Sequence, residues 1–394
     1  MRNGLRSIVS ATGLLAISIV GLGQPVFAQA ASGFETRATS LYIRDLSTGI
    51  VLMEKAADVP LPPASMSKLM TLLMLFEAID DGRMNLGTEF SVSERAHAMG
   101  GSRMFLEVRD RPTAEDLILG IAVHSGNDAT VVVAEGLAGT EEAFAQLATR
   151  RARELGMRNT TIANSSGWPN PDHLMSKRDL GILAEHIITH YPQYYSYLSE
   201  REFTWNGITQ PNRVPLLGAG IGLDGLKTGF TSAAGYSLTG SARQGDRRIV
   251  FAFGGLSSER ERVQEAEAII NWAFRQFAKV NVGEAGQVME TAPVWLGEAA
   301  TVPLVLAEDA DILVPAIGSR DLQARVIYDS PLPAPISAGD VLGNLIIEIP
   351  DMGETSVALV AGADVAEGGF VVRAKASAER LLSMVLGSAR DAMN

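Results

Sequence analysis

One pair of residues in this chain has the types and spacing for hydroxyl chemistry. Ser65 and Lys68 stand three apart in Ser65-Met66-Ser67-Lys68, just after Pro62 and Pro63 close an extended run. On a helical turn residues three apart lie one above the other, which places the Lys68 amine beside the Ser65 hydroxyl. Such an amine accepts the hydroxyl proton only when it is neutral, so burial and a second cation must lower its pKa. The start of a helix also offers free backbone N–H groups where an oxyanion would form. By itself the spacing equally describes a helix N-cap followed by a solvated lysine. Two further stretches hold a serine and a lysine, His124-Ser125-Gly126-Asn127-Asp128 and Asp224-Gly225-Leu226-Lys227-Thr228-Gly229-Phe230-Thr231. The chain has no cysteine, so neither a thiolate nucleophile nor a thiolate metal site exists.

Taken in order, Ser-x-x-Lys, Ser-Gly-Asn and Lys-Thr-Gly resemble the motif triplet of the penicillin-recognising serine enzymes. The fuller stretches, Pro63 to Thr71, Ser125 to Ala129 and Asp224 to Gly229, resemble one branch closely, the low-molecular-mass penicillin-binding proteins that act as serine D-alanyl-D-alanine carboxypeptidases. The likeness spans roughly residues 39–277. It implies that Ser65 attacks the carbonyl between the last two D-alanines of a peptidoglycan stem peptide, with Lys68 as general base, and that β-lactam antibiotics acylate the same serine. It also implies a proton relay through Ser125 and a grip on the substrate amide by Asn127. Lys227 would be the second cation, Thr228 would meet the substrate carboxylate, and Gly229 would leave the strand edge open to an extended peptide. The oxyanion hole would be the N–H groups of Ser65 and Phe230.

A carboxypeptidase needs a cation for the free carboxylate. In the family an arginine stands ten residues before a tryptophan, as Arg262 does before Trp272. The neighbouring Glu259, Arg260, Glu261 and Glu265 also fit a plain ion-laced helix surface. Some positions depart from the family. Phe230 replaces the usual histidine, an Asn-x-Asn loop pattern is only half present as Asn212-Arg213-Val214, and His124 is atypical and reads as a structural neighbour. His173 matches a family loop and reads as structural support.

Other readings stay in view. A DD-endopeptidase would use the same residues. A β-lactamase would need a loop glutamate, typically in Glu-x-x-Leu-Asn, and that pattern does not occur between Ser125 and Lys227. A zinc peptidase finds His186 and His190 four apart but no glutamate after His186. A noncatalytic peptidoglycan-binding scaffold would have no use for intact Ser65, Lys68, Ser125 and Lys227. The serine chemistry calls for no metal or cofactor.

The elements that must hold these residues follow from periodicity. Alternation over 40–44 and 50–54 around a Ser-Thr-Gly turn predicts a hairpin. Helical patterns cover 66–79 and dominate from there to about Tyr191. Strand-like runs resume at 225–231, 235–242 and 248–254, and a helix follows at 261–277. Strands at both ends with helices between predict an α/β (α+β) sandwich with an antiparallel sheet and a helical lobe, of the transpeptidase/β-lactamase type. This catalytic domain is expected over 31–278. Short β-type runs broken by Gly and Pro then predict a small all-β domain over 279–372, where 3 basic residues face 14 acidic ones.

The two termini read as targeting segments. Arg2 and Arg6, an apolar run from Ile8 to Leu22 and small residues around Ala28 and Ala30 form a secretory signal over 1–30, cleaved after Ala28 or Ala30. Export to the periplasm or another extracytoplasmic space follows. Residues 373–394 read as an amphipathic tail helix, suited to peripheral membrane contact or to burial against the protein. The formal charge of -12, which becomes -14 without Arg2 and Arg6, argues against nucleic acid as a partner.

Overall fold

The computed structural model describes residues 34–316, 322–349, 353–370, 372 and 374. The expected signal segment, 1–30, and all but one residue of the expected tail helix, 373–394, lie outside them. The chain forms two compact units, one closing at Gln276 and the other beginning at Phe277.

The first unit opens with a hairpin, β1 (Ser40–Asp45) and β2 (Val51–Lys55). A 3-10 turn, Ala64–Ser67, then feeds α1 (Lys68–Asp80). The lobe continues with α2 (Glu94–His97), α3 (Ala114–Ala122), α4 (Asn127–Ala138), α5 (Glu141–Glu154), α6 (Lys177–His190) and α7 (Pro192–Tyr195). A second hairpin follows, β3 (Glu202–Trp205) and β4 (Ile208–Pro211), and then β5 (Leu223–Thr231), β6 (Gly235–Gln244), β7 (Arg247–Leu256) and α8 (Glu259–Gln276).

Side chains mark where these helices start. Thr113 and Asp116 exchange bonds in a capping box on α3, and Thr140 and Ser176 accept the first free N–H groups of α5 and α6. Such a cap is worth about 1 kcal/mol. Helix α1 is buried on nearly every side, Leu69, Leu72, Leu73 and Phe76 included, because it runs through the middle of the lobe.

The main sheet is antiparallel, ordered β2-β1-β7-β6-β5, so the first and last strands of the unit pair at its centre. Alternation divides its faces: Val250 and Ala252 join the helical core, while Phe251 and Phe253 point the other way. Helix α8 packs on β6 and β7, and its Trp272 stacks on Phe34 at 5.0 Å. A buried ion pair, Arg247 to Asp45 at 2.8 Å, ties β7 to β1, and the same guanidinium donates to the Ala273 carbonyl of α8.

Two details differ from the sequence pattern. Ser65 does not open an α-helix but sits in the 3-10 turn, where residues i and i+3 eclipse and so stand closer than on an α-turn. The β3–β4 hairpin turns on Asn206-Gly207, both at positive φ, within a stretch whose alternation is only four residues long on each side.

The second unit is all-β: β8 (Phe277–Asn281), β9 (Val288–Trp295), β10 (Thr301–Leu306), β11 (Asp311–Pro315), β12 (Gln323–Tyr328), β13 (Leu332–Pro333), β14 (Val341–Ile349) and β15 (Gly353–Ala361). Its large sheet is ordered β12-β14-β15-β10-β9-β13, and β8 pairs with β11. Leu345, Ile347 and Ile349 are buried between exposed Asn344 and Glu348, the half-buried alternation expected of such a sheet. Among the described residues no helix is long and apolar enough to cross a membrane.

Candidate active site

The Ser65 turn and α1 bring hydroxyl and amine together. Lys68 Nζ lies 2.9 Å from Ser65 Oγ and donates to the Ser166 carbonyl at 2.5 Å. The side chain of Lys68 is fully buried, and its pKa falls well below the usual lysine value. Burial is the largest cause, and the positive charges of Lys227 and Arg213 add to it. An amine with a lowered pKa against a serine hydroxyl is the arrangement that general-base activation requires. Lys68 is thus not the solvated lysine of a simple N-cap, and Ser65 makes no side-chain cap. Ala64, one residue before the serine, holds φ +50°, a left-handed conformation that costs an alanine about 1 kcal/mol and turns the chain into the site.

The Ser-Gly-Asn motif forms the junction between α3 and α4. Ser125 is buried at φ +60°, in the left-handed region. Asn127 donates from Nδ2 to the Gly100 carbonyl at 2.8 Å. Asp128 accepts from the N–H groups of Met104, Phe105 and Leu106 at 2.8–3.1 Å and so fixes the loop that faces Asn127. His124 binds the Phe203 carbonyl through Nε2 and meets the Phe203 ring at a tilt, 5.1 Å between centroids, an anchor for β3.

Strand β5 supplies the opposite wall. A Cβ on Gly229 would lie 3.0 Å from the Pro63 carbonyl and 3.3 Å from the Ala64 Cβ, so β5 packs directly on the Ser65 turn. Alternation puts Lys227 on the same face as Gly229 and Thr228 on the other, the side of α8. The far end of β5 is held by Asp224, which accepts from Tyr195 at 2.6 Å and pairs with Arg248 at 2.7 Å. Lys227 is buried, and its pKa drops to about 7, first from burial and then from Arg213 and Arg262. At neutral pH it is therefore only partly charged.

Arg262 projects from the first turn of α8. It lies 5.7 Å from the Tyr236 ring, which in turn contacts the Phe230 ring at 4.4 Å. Phe230 is 53% exposed at the end of β5. Arg213 escaped the sequence reading. It bonds to Ser102 and stands close enough to Lys68, Lys227 and Arg262 to lower the pKa of all three. The only trace of it in the sequence is the half-present Asn-x-Asn pattern: Asn212 binds the Leu198 and Glu200 carbonyls and so aims the next residue inward.

Behind the reacting groups lies a loop, residues 164–168, whose carbonyl at Ser166 receives Lys68. Asn164 Oδ1 accepts the N–H groups of Ser166, Gly167 and Trp168. Buried Glu141 accepts both the N–H and the hydroxyl of Ser165, at 2.9 and 2.6 Å, and pairs with Arg95. His173 takes the N–H groups of Ala163 and Asn164 on Nδ1. Burial and the Lys68 charge push its pKa to about 4, so it is neutral and structural. Thus Lys68 is held by a serially supported acceptor.

Comparison with known proteins matches this architecture in both units. Residues 26–253 match the D-alanyl-D-alanine carboxypeptidase family model, and residues 277–367 match that of the penicillin-binding protein 5 C-terminal domain. The chain is 34% identical to D-alanyl-D-alanine carboxypeptidase DacC of Escherichia coli over 344 residues, 85% of this chain and 86% of that protein. It is 32% identical to DacF of Bacillus subtilis, over 86% and 87% of the two chains. Among solved structures, penicillin-binding protein 5 from Haemophilus influenzae superposes with a TM-score of 0.78 at 30% identity, over 88% of this chain and all of that one. The ampicillin-bound form of penicillin-binding protein D2 from Listeria monocytogenes gives 0.56 at 27% identity over 61% of this chain and 99% of that one.

Proposed function

The chain belongs to the D-alanyl-D-alanine carboxypeptidase family, and from that premise we propose how its own residues run the reaction. It is a serine-type carboxypeptidase acting on peptidoglycan stem peptides. Ser65 Oγ adds to the carbonyl carbon between the two terminal D-alanines while its proton passes to Lys68 Nζ. The N–H groups of Ser65 and Phe230 receive the negative charge that develops on the carbonyl oxygen. As the C–N bond breaks, the proton moves from Lys68 through the Ser125 hydroxyl to the leaving amine, and D-alanine departs. Water then attacks the ester at Ser65, giving its proton to Lys68, and the shortened peptide leaves with Ser65 protonated again.

Arg262, Arg213, Lys227 and Thr228 recognise the free carboxylate, and Asn127 holds the peptide amide. A carboxylate among these cations stabilises the charged form of Lys227, so substrate binding and full charging of the site go together. The observation that carries this reading is the fully buried Lys68 amine at 2.9 Å from Ser65 Oγ. Penicillins carry an acyl carbonyl beside a carboxylate and acylate Ser65 by the same route. Incubation with a labelled penicillin followed by peptide mapping should place the label on the peptide that contains Ser65, and label on any other peptide overturns the assignment.

We also infer that the enzyme works outside the cytoplasm after export by its N-terminal segment, with residues 373–394 making peripheral membrane contact. Cell fractionation of the full chain against a chain ending at residue 372 tests the second point. The shorter form should move to the soluble fraction.

A further inference from the structure

The first turn of α8 carries two glutamates with different work. Glu261 accepts the N–H and hydroxyl of Ser257, at 2.9 and 2.6 Å, and so caps the helix. Glu259 has no part in the cap. Its Oε1 instead takes Arg262 Nη2 at 2.7 Å, and its charge also acts on Arg213. The Glu259 side chain is 70% exposed whereas that of Arg262 is 6% exposed, so the carboxylate reaches in from solvent to a guanidinium already buried in the wall. The Arg262 Nε is buried and unpartnered. The guanidinium is therefore incompletely satisfied, and among the described residues its one ion-pair partner is a group that can swing out to water.

We propose that Glu259 is an internal surrogate for the substrate carboxylate, a specificity-determining residue that occupies Arg262 until a peptide with a free C-terminal carboxylate displaces it. This rests on the assignment of Arg262 to carboxylate recognition. A substrate carboxylate that takes Nη2 does so in place of Glu259, so binding through that nitrogen exchanges the Glu259 contact for the substrate contact. The exchange costs little for a ligand that brings its own carboxylate. It costs more for one that does not, because Glu259 then stays in place and narrows the pocket.

The test compares the full chain with its Glu259→Gln, Arg262→Gln and double variants. Two substrates are used, diacetyl-L-Lys-D-Ala-D-Ala and the same peptide ending in D-alaninamide. Glu259→Gln keeps the size and the helix start but removes the competing charge. For the free acid, kcat/KM should rise about twofold to fivefold, the scale of one partly exposed ion pair. With the amide it should stay within about twofold of the parent, and acylation by benzylpenicillin, which carries a carboxylate, should rise in parallel with the free acid. Arg262→Gln should lower kcat/KM for the free acid, and in the double variant the gain from Glu259→Gln should vanish, a coupling that a merely structural role would not produce. Equal or lower kcat/KM for the free acid in Glu259→Gln, alongside a loss in Arg262→Gln, overturns the surrogate role and leaves the carboxylate reading standing. No effect of Arg262→Gln overturns both.

Discussion

Replacing Gly167 by alanine should disable the enzyme through geometry rather than chemistry. Gly167 holds φ +76°, and a Cβ there would lie 1.9 Å from the Ala64 carbonyl oxygen and 2.5 Å from its carbon. Ordinary contact needs roughly 3.4 Å, so either the turn carrying Ser65 or the loop carrying Ser166 must retreat by about 1.5 Å. Lys68 touches both, Ser65 at 2.9 Å and Ser166 at 2.5 Å, and cannot follow them in opposite directions. A displacement of about 1 Å costs on the order of a hundredfold in rate, so penicillin acylation should fall by about a hundredfold or more. Overpacking together with left-handed strain should also remove about 2–5 kcal/mol of stability. Gly139 provides the control: it holds φ +82° at the end of α4 with nothing within 4 Å of a built Cβ. Gly139→Ala should carry the strain alone, about 1 kcal/mol, with acylation within about twofold of the parent. Stopped-flow acylation with a fluorescent penicillin, paired with denaturant unfolding, measures both. Acylation of Gly167→Ala within about threefold of the parent would refute the claim that this contact sets the Ser65–Lys68 geometry.

Three further outcomes follow from the buried charges. Lys177 is buried, and burial alone lowers its pKa from 10.5 to about 8. Between those values the unfolded chain binds more protons than the folded one, so stability rises with pH. Lys177→Met should flatten that rise by about 2–3 kcal/mol between pH 8 and 10.5 and be the more stable protein at pH 7, as measured by urea unfolding across pH. The depressed pKa of Lys68 makes acylation fall on the acid side as the amine protonates. Because Lys227 helps to depress it, the residual acylation of Lys227→Met should show that acid limb at higher pH, read from acylation rates across pH. Removing the acceptor for Ser165 in Glu141→Ala leaves a buried N–H and hydroxyl unpaired, which should cost about 1–3 kcal/mol in melting and unfolding measurements. Acylation should drop with it, and Glu141→Gln, which keeps one acceptor oxygen, should fall between the two.

Much of the scaffold was legible because it rests on local rules. The β1–β2 hairpin, α1 after the prolines, the capped helices α3, α5 and α6, and the three long strands β5 to β7 all show in periodicity, caps and turn residues. The β3–β4 hairpin did not, since its strands are mostly exposed and too short to show a period, although Asn206-Gly207 was the available signal. Arg213 was missed for a related reason. It sits in a loop, and the half-present Asn-x-Asn pattern beside it does not say that it stands near Lys68 and Lys227.

Residue types and their order along the chain determined the chemistry this protein has at hand: a hydroxyl with an amine three residues on, a second hydroxyl, a second amine, and no thiol. Those are statements about covalent neighbours, and local geometry is enough to make them. Proton states and occupancy were decided only by the fold. The Lys68 pKa falls because burial and the charges of Lys227 and Arg213, from distant parts of the chain, act on its amine, and Arg262 holds Glu259 because one helical turn brings the two side chains together. Desolvation and Coulomb interaction act through space, so their sources stay hidden until the chain has folded.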